Sequence, residues 1–569
     1  MSQYACGSVV YRCSRGGRIV LTASTFAVSL VFAWTQSCNP PTASARFAWD
    51  KTDATAYNDL AAKAAVDSQR NVYIVGTDVK DGESDIVVTK YDKAGTQQWR
   101  AAFNGNSSNP GVDKGYGIAV DGLGAVYVCG AATRSSGIGL DYVVVKYPYN
   151  YQSGNPAWVR YFDGGHGDDE ARAIALDSQQ NVYVTGRSLA SNDKFDVITL
   201  RLNGNDGEFS NTWAELNENN PVGTRRYNNN ASGHDEGLSI TVDADGDPIL
   251  TGRAQISVSP SNYDVLTVKY VGDGGSVDFA EVFDASSSTT DSAGVSVTTD
   301  PSKNVYVAGR FAGQNSTGAL IKYLPDGTLC WYDDPYIGKS ELEQVVYDSN
   351  GFVVAAGYCV PQGEDKEAYF VAKYHRNFRA TGVDPENERS IADPPQLIAL
   401  PIWENAYDGG GDGDAKDFAR SLAVDSHGYI FVTGESDGNE GEEDFWTLSL
   451  RPNDGAICWQ ARYKGNLTGD DIEKGVWMAM DSGGNLAIVG TATGAETGTD
   501  IAVIRYCRLP GDVNSDGVVD DTDLAIVLEC FGNSADACST LDLDRSGTVD
   551  DPDLAIVLEN FGKYCGTDW

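Results

Sequence analysis

Four histidines and three methionines in 569 residues leave little imidazole or thioether from which to build a metal or redox centre. His166, His234, His375 and His427 fall at unequal places along the chain, and each reads as a surface residue rather than a base. Basic charge is scarce as well. Forty-two Lys and Arg face 81 Asp and Glu, a net charge of −39, and such a surface repels phosphate, which excludes nucleic acid as a partner. Long apolar runs are absent but for one, "IVLTASTFAVSLVFAW" from Ile19, and sixteen residues are short for a bilayer span. No nucleophile elbow, paired metal histidines or Gly-rich phosphate loop occurs, and no catalytic residue is assigned.

The apolar run follows Arg12, Arg15 and Arg18, and Ala43 and Ala45 supply an Ala-x-Ala cleavage pattern. Residues 1–45 therefore read as a secretory signal, with no transmembrane segment in the mature chain and a secreted or cell-surface destination. Cys38, after "TQS", matches a lipoprotein cysteine poorly. Export makes disulfides available to the eight cysteines beyond the signal.

Sixty-three glycines and ten per cent aromatics point to many short strands joined by tight turns. A repeat organises them. "NVYIVG" followed by "DIVVTKY" has relatives in "AVYVCG" with "DYVVVKY", "NVYVTG" with "DVITLRL", "PILTG" with "DVLTVKY" and "NVYVAG" with "GALIKY". "GFVVAAG" with "AYFVAKY", "YIFVTG" with "DFWTLSL" and "NLAIVG" with "DIAVIRY" make eight copies. Most continue to a Trp (Trp99, Trp158, Trp213, Trp331, Trp459) and close on an apolar run into Asp. Those Asp markers run from Asp67 through Asp121, Asp177, Asp243, Asp300, Asp348 and Asp425 to Asp481, 48 to 77 residues apart. Four strand-like segments on such a period predict a β-propeller blade, so the fold class is all-β, an eight-bladed propeller over 46–506. The last copy stops at Tyr506 without a Trp strand, while Trp49 and "KAAVD" precede the first. Together these fragments predict one blade closed by the N-terminal strand, with the Trp residues as inter-blade core. The stretch from His375 to Ile402 reads as a surface loop.

Glycine and acid recur before the last segment of several copies, at Asp163 ("DGGHGDDEAR"), Asp408 ("DGGGDGDAKDFAR") and Lys464 ("KGNLTGDDIEKG"), and a shared place in the repeat puts them on one face. They read either as a calcium- or sugar-binding rim or as ordinary turn chemistry, and turn chemistry is the simpler account.

The chain ends in "GDVNSDGVVDDTDLAIVLECFG" and "LDLDRSGTVDDPDLAIVLENFG". In the first copy Asp512, Asn514, Asp516, Val518, Asp520 and Asp523 occupy places 1, 3, 5, 7, 9 and 12 of a calcium loop, with Gly517 at 6. In the second, Asp542, Asp544, Ser546, Thr548, Asp550 and Asp553 do the same, with Gly547 at 6. A hard cation takes six to eight oxygens, and alternate residues of a tight loop supply them. After each loop the apolar residues keep helical spacing, Leu524, Val527, Leu528 and Phe531, then Leu554, Val557, Leu558 and Phe561.

The repeats resemble the SBBP family of propeller repeats across essentially all of Trp49 to Tyr506. The tail, 511–569, has Asp rather than Glu at place 12 and no helix before either loop, and it resembles a type I dockerin, a small α-helical domain. That resemblance implies two Ca2+ ions, ends brought together so that Cys507 pairs with Cys565, and a cohesin-like protein module as partner, with a cell-surface acceptor as the other choice. The Ser/Thr pair usual at loop places 10 and 11 of cellulosomal dockerins is replaced by Asp521 and Thr522, then Asp551 and Pro552, and the helices carry no Lys or Arg. The expected function is a secreted recognition or scaffold protein whose tail attaches a propeller, with polysaccharide as the propeller's ligand. The alternative is a polysaccharide-degrading O-glycosyl hydrolase of a cellulosome-like complex. The first needs fewer unseen residues and makes the protein a binder rather than an enzyme.

Overall fold

The computed structural model describes residues 10–12, 18–20, 45–53, 58–105, 111–134, 139–213, 223–229, 233–258, 261–284, 291–311, 317–333, 339–361, 363–364, 366–376, 401–410, 416–437, 443–464, 474–494, 498–508, 511–513, 518–534, 541, 543 and 548–562. Two units are distinguished, Met1–Ser37 and Cys38–Trp569. In the first, Val10–Arg12 and Arg18–Val20 pair as a small antiparallel hairpin.

The second unit carries eight four-stranded antiparallel sheets, each an up-and-down meander. Their first strands, Asn58–Val66, Lys114–Val120, Asp169–Leu176, Asp235–Val242, Ser292–Thr299, Ser340–Tyr347, Asp417–Val424 and Lys474–Met480, touch one another in succession, and the eighth returns to the first. This closed ring is an eight-bladed β-propeller, with the first strands innermost. The second and third strands of each blade lie between neighbouring sheets and are buried on both faces, as Val126–Thr133 and Leu140–Tyr147 are almost throughout. Their sequences are accordingly continuous apolar runs rather than alternating ones, since neither face meets water.

The repeated residues now have physical causes. The Asp that ends each copy caps the turn between first and second strands. Asp67 Oδ1 accepts from the amides of Gln69 and Asn71, at 2.9 Å each, and Oδ2 accepts from Asn71 Nδ2 and the Tyr73 hydroxyl. Asp177 and Asp300 repeat all four bonds. The Gly that closes "NVYVTG" faces a bulge in the first strand. At Gly186 and Gly434 an added Cβ would stand at 2.0 Å from Glu170 O and 1.9 Å from Phe418 O, so only Gly fits. The Trp residues are inter-blade core. Trp99 of blade 1 meets Tyr147 of blade 2 at 5.6 Å between ring centroids, and Trp331 of blade 5 meets Tyr374 of blade 6 at 5.8 Å.

Blade 8 takes its fourth strand from the other end of the array. Ala45–Asp53 pairs antiparallel with Gly498–Arg508, Trp49 opposite Arg505 and Asp53 opposite Ile501. The N-terminal strand therefore closes the ring, as the sequence predicts. One detail differs, because "KAAVD" does not join that blade but ends the innermost strand of blade 1. The sequence repeat starts one strand later than the structural blade, and periodicity alone does not fix where a unit is cut.

Beyond the propeller, two helices stand among the described residues of the tail, α1 (Asp521–Glu529) and α2 (Asp551–Glu559), around a small core of Val513, Val519, Val527, Leu543, Val549 and Val557. The halves interlock reciprocally, Gly532 N donating to Val549 O and Gly562 N to Val519 O, both at 2.7 Å. Cys507 and Cys530 each take part in a disulfide whose pairing lies outside the described residues, whereas Cys129 and Cys359 are buried thiols. Cys565, Cys538 and most of 375–402 lie outside the described residues.

Candidate functional site

In the tail, short acidic loops start helices because carboxylates are the right caps for exposed amides. Asp520 is the N-cap of α1 and accepts from Thr522 N at 2.8 Å, and Asp523 at the third helical position completes a capping box. Asp523 is fully buried. Its Oδ1 accepts from Val513 N at 2.7 Å and its Oδ2 from Asp520 N at 2.9 Å, so place 12 ties place 2 of the loop to place 9. Asp553 does the same in the second copy, accepting from Leu543 N and, at 2.8 Å, from Asp550 N. A longer Glu would overreach this close tie. Asp512 is buried, and Val518 and Thr548, at place 7, are exposed.

Asp550 Oδ1 is buried without a hydrogen-bond donor among the described residues, while Oδ2 accepts from Thr548 Oγ1 at 3.1 Å. A buried, unsatisfied carboxylate oxygen at place 9 fits a hard cation. Asp512, Val518, Asp520 and Asp523 are the described residues that would hold one ion, and Thr548, Asp550 and Asp553 the other. Asn514, Asp516, Asp542, Asp544 and Ser546 lie outside the described residues.

The helices differ from the sequence reading in one respect. Of each apolar set only Val527 and Val557 are fully buried. Leu528, Phe531, Leu558 and Phe561 are 51, 43, 57 and 48 % exposed. A nine-residue helix has little more than two turns to offer, so one residue of each set is fully buried, Leu524 and Leu554 pack partly buried against the core, and the last two stay outside.

On the propeller, the loops that join one blade to the next gather on a single face with the turns between second and third strands. Much of their acid is turn chemistry, Asp163 Oδ1 accepting from Gly165 N and Asp408 Oδ1 from Gly410 N. A second set of acids, at the start of the first strands, ties these loops down. Asp113, Asp169 and Asp417 accept from the amides of Gly105, Gly164 and Gly409 at 2.6, 2.6 and 2.7 Å. Burial pushes these carboxyls up, Asp169 to about 7 and Asp417 to about 6. A third set opens the third strands, where burial, with Asp163 nearby, raises Asp141 to about 6. Sequence reasoning missed this double ring, although the Asp that opens "DIVVTKY" and its relatives was its visible signal.

Three of the four histidines are exposed. The fourth, His234, is half-buried and lines a cavity of about 230 Å³ between blades 3 and 4 with Arg187, Phe195, Arg253 and Tyr263. Phe195 N donates to His234 Nδ1 at 3.1 Å, and burial lowers the pKa of this imidazole. Arg187 lies over Phe195 at 4.4 Å and Arg253 over Tyr263 at 4.8 Å, each also bonded to a carboxylate.

Comparison with known families agrees with this architecture. The model of a β-propeller repeat, SBBP, matches residues 157–192 and 410–442, and that of the dockerin type I domain matches 510–561. The chain carries SBBP propeller repeats and a dockerin type I domain. It is thus an attachment module joined to a propeller. No curated protein matches it. Among solved structures, it is similar to a protein of unknown function from Dyadobacter fermentans, with 9 % identity, TM-score 0.36, and 82 % of this chain and 99 % of that one covered. It is also similar to the polysaccharide lyase Uly1 (10 %, 0.38, 82 and 100 %) and to the WD40 domain of SCAP from fission yeast (10 %, 0.41, 80 and 98 %). No helix among the described residues is long and apolar enough to cross a membrane.

Proposed function

We propose that the protein is a secreted recognition component, whose dockerin-type tail folds around two calcium ions and fixes the propeller to a cohesin-like module. The propeller binds a polysaccharide and does not cleave it. The observation that carries the reading is the duplicated exposed pair, Leu528 with Phe531 and Leu558 with Phe561, where the Leu lies in the last turn of a helix and the Phe follows just beyond it in both copies. Apolar residues held half in water on so small a domain suit a docking surface. Fourteen acids against two bases in 511–569 further define the partner as an apolar patch rimmed by Lys and Arg. The same acids would repel one another without a cation, so calcium both neutralises the loops and orders the helices.

The test uses the full chain, immobilised, against a panel of cohesin modules in calcium and in chelator. Capture is expected in calcium alone, and Leu528→Ser with Phe531→Ser should weaken it by about tenfold or more while helicity is kept. Equal capture in chelator, or by that variant together with its Leu558→Ser, Phe561→Ser counterpart, would refute the reading.

A further inference from the structure

At several junctions on the loop-bearing face, the third strand of one blade and the first strand of the next each carry an acid near their start, and a counter-group stands beside it. At blades 1 and 2 the acids are Asp85 and Asp113, and Asn104, the residue just after the fourth strand, donates from Nδ2 to Asp85 Oδ1 at 2.8 Å. In blade 3, Arg226 on the fourth strand donates to Asp196 at 2.8 Å, near Asp235 of blade 4. In blade 7, Arg462 holds the corresponding place and stands 3.3 Å from Asp444.

At blades 2 and 3 both counter-groups are missing. The place of Arg226 and Arg462 is filled by Tyr161, and the place of Asn104 by a third acid, Asp163. Oxygens of Asp141, Asp163 and Asp169 lie within 4.8 Å of one another. The Asp141 side chain is 1 % exposed, and its Oδ1 has no hydrogen-bond partner among the described residues. Its Oδ2 faces Arg134 Nη1 at 3.4 Å, and that guanidinium is drawn off over the Tyr161 ring, 4.6 Å from its centroid. The Ser188 hydroxyl stands beside Asp169, whose Oδ2 accepts from Gly164 N. Asp163 is held over the pair by its own turn with Gly165. One partly exposed guanidinium faces three carboxylates, two of them buried, so acidic groups are in excess at this junction.

We propose that this junction is a cation site, with Asp141, Asp163 and Asp169 as its protein ligands and a hard divalent ion of the calcium class as its occupant. The donors are all oxygen, which selects against zinc and copper, and a divalent charge cancels the excess. The ion bridges blade 2, which supplies Asp141 and Asp163, to blade 3, which supplies Asp169. The inference does not depend on the tail, and the test separates the two.

Calcium bound per full-length chain is counted by equilibrium dialysis for the native protein, for Asp163→Asn, and for a tail variant combining Asp523→Ala with Asp553→Ala. Asp163 is exposed, so its replacement by Asn leaves the propeller folded, which circular dichroism checks. Asp163→Asn should bind one ion fewer than the native chain, the tail variant should keep one ion, and the three substitutions together should keep none. Calcium should raise the melting temperature of the propeller in the tail variant but not when Asp163→Asn is added. Equal counts for the native chain and Asp163→Asn, or a tail variant that holds no ion, would overturn the assignment.

Discussion

At the scale of single residues, buried carboxylates are the main electrostatic tension in this propeller, and Asp264 isolates it. It lies near the start of the third strand of blade 4, is 4 % exposed, and has its pKa pushed up to about 6, first by burial and then by Asp284. A carboxyl whose folded pKa exceeds its unfolded value near 4 binds its proton better in the folded state. Its contribution is therefore favourable below the unfolded pKa and is lost as pH rises through about 6. At pH 7 the ionised group should cost on the order of 2 kcal/mol relative to the protonated one. Asp264→Asn keeps the shape and removes the charge, so urea unfolding should find it more stable than the native chain at pH 7 and equal to it near pH 4. An equal difference at both values would assign the effect to packing instead.

At the scale of elements, the blade is a device for burying two strands on both faces, and its glycines show where that leaves no room. The bulge in each first strand brings a carbonyl against the second strand, so Gly434→Ala should destabilise by about 2–3 kcal/mol, whereas Gly274→Ala, where an added Cβ meets nothing, should change little. Comparable losses from the two in denaturant unfolding would show that the clash is not the cause, because Gly→Ala at an open site restricts the unfolded chain and should not destabilise. The strands were legible because a doubly buried run such as "NVYVTG" and its turn Asp recur in one order. The calcium loops were legible because their ligands are contiguous. The inter-blade acids were not, since Asp141 and Asp169 are brought together only by closing one blade and opening the next. Nor was the exposure of Leu528 and Phe531, because helical spacing says which residues share a face and not how much of that face a nine-residue helix can bury.

At the scale of the whole molecule, a ring of sheets has no natural end, and the two ends of the array must meet somewhere. Here they meet inside blade 8, whose three C-terminal strands accept Ala45–Asp53 as their outer neighbour. The seam is then not a blade–blade contact, which could open by parting side chains, but a ladder of backbone hydrogen bonds within one sheet. The contact between blades 8 and 1 behind it is ordinary core, with Val72, Ile74 and Val87 packed on Ala487, Val489, Ile501 and Val503. Taking away Ala45–Asp53 while keeping Asn58–Val66 therefore leaves that core in place and uncovers one edge, Gly498–Arg508. An exposed edge of eleven residues loses its ladder and offers itself to other chains. The truncated protein should melt several degrees below the intact one and should self-associate as concentration rises. Removing residues 45–66 should be worse, because it also takes the innermost strand of blade 1 and breaks the inner ring of first strands. Thermal unfolding and light scattering on the two truncations would distinguish these effects. If the shorter deletion melts like the intact chain, the seam is not what holds the ring. If both deletions lose stability equally, the inner strand adds nothing beyond the closure.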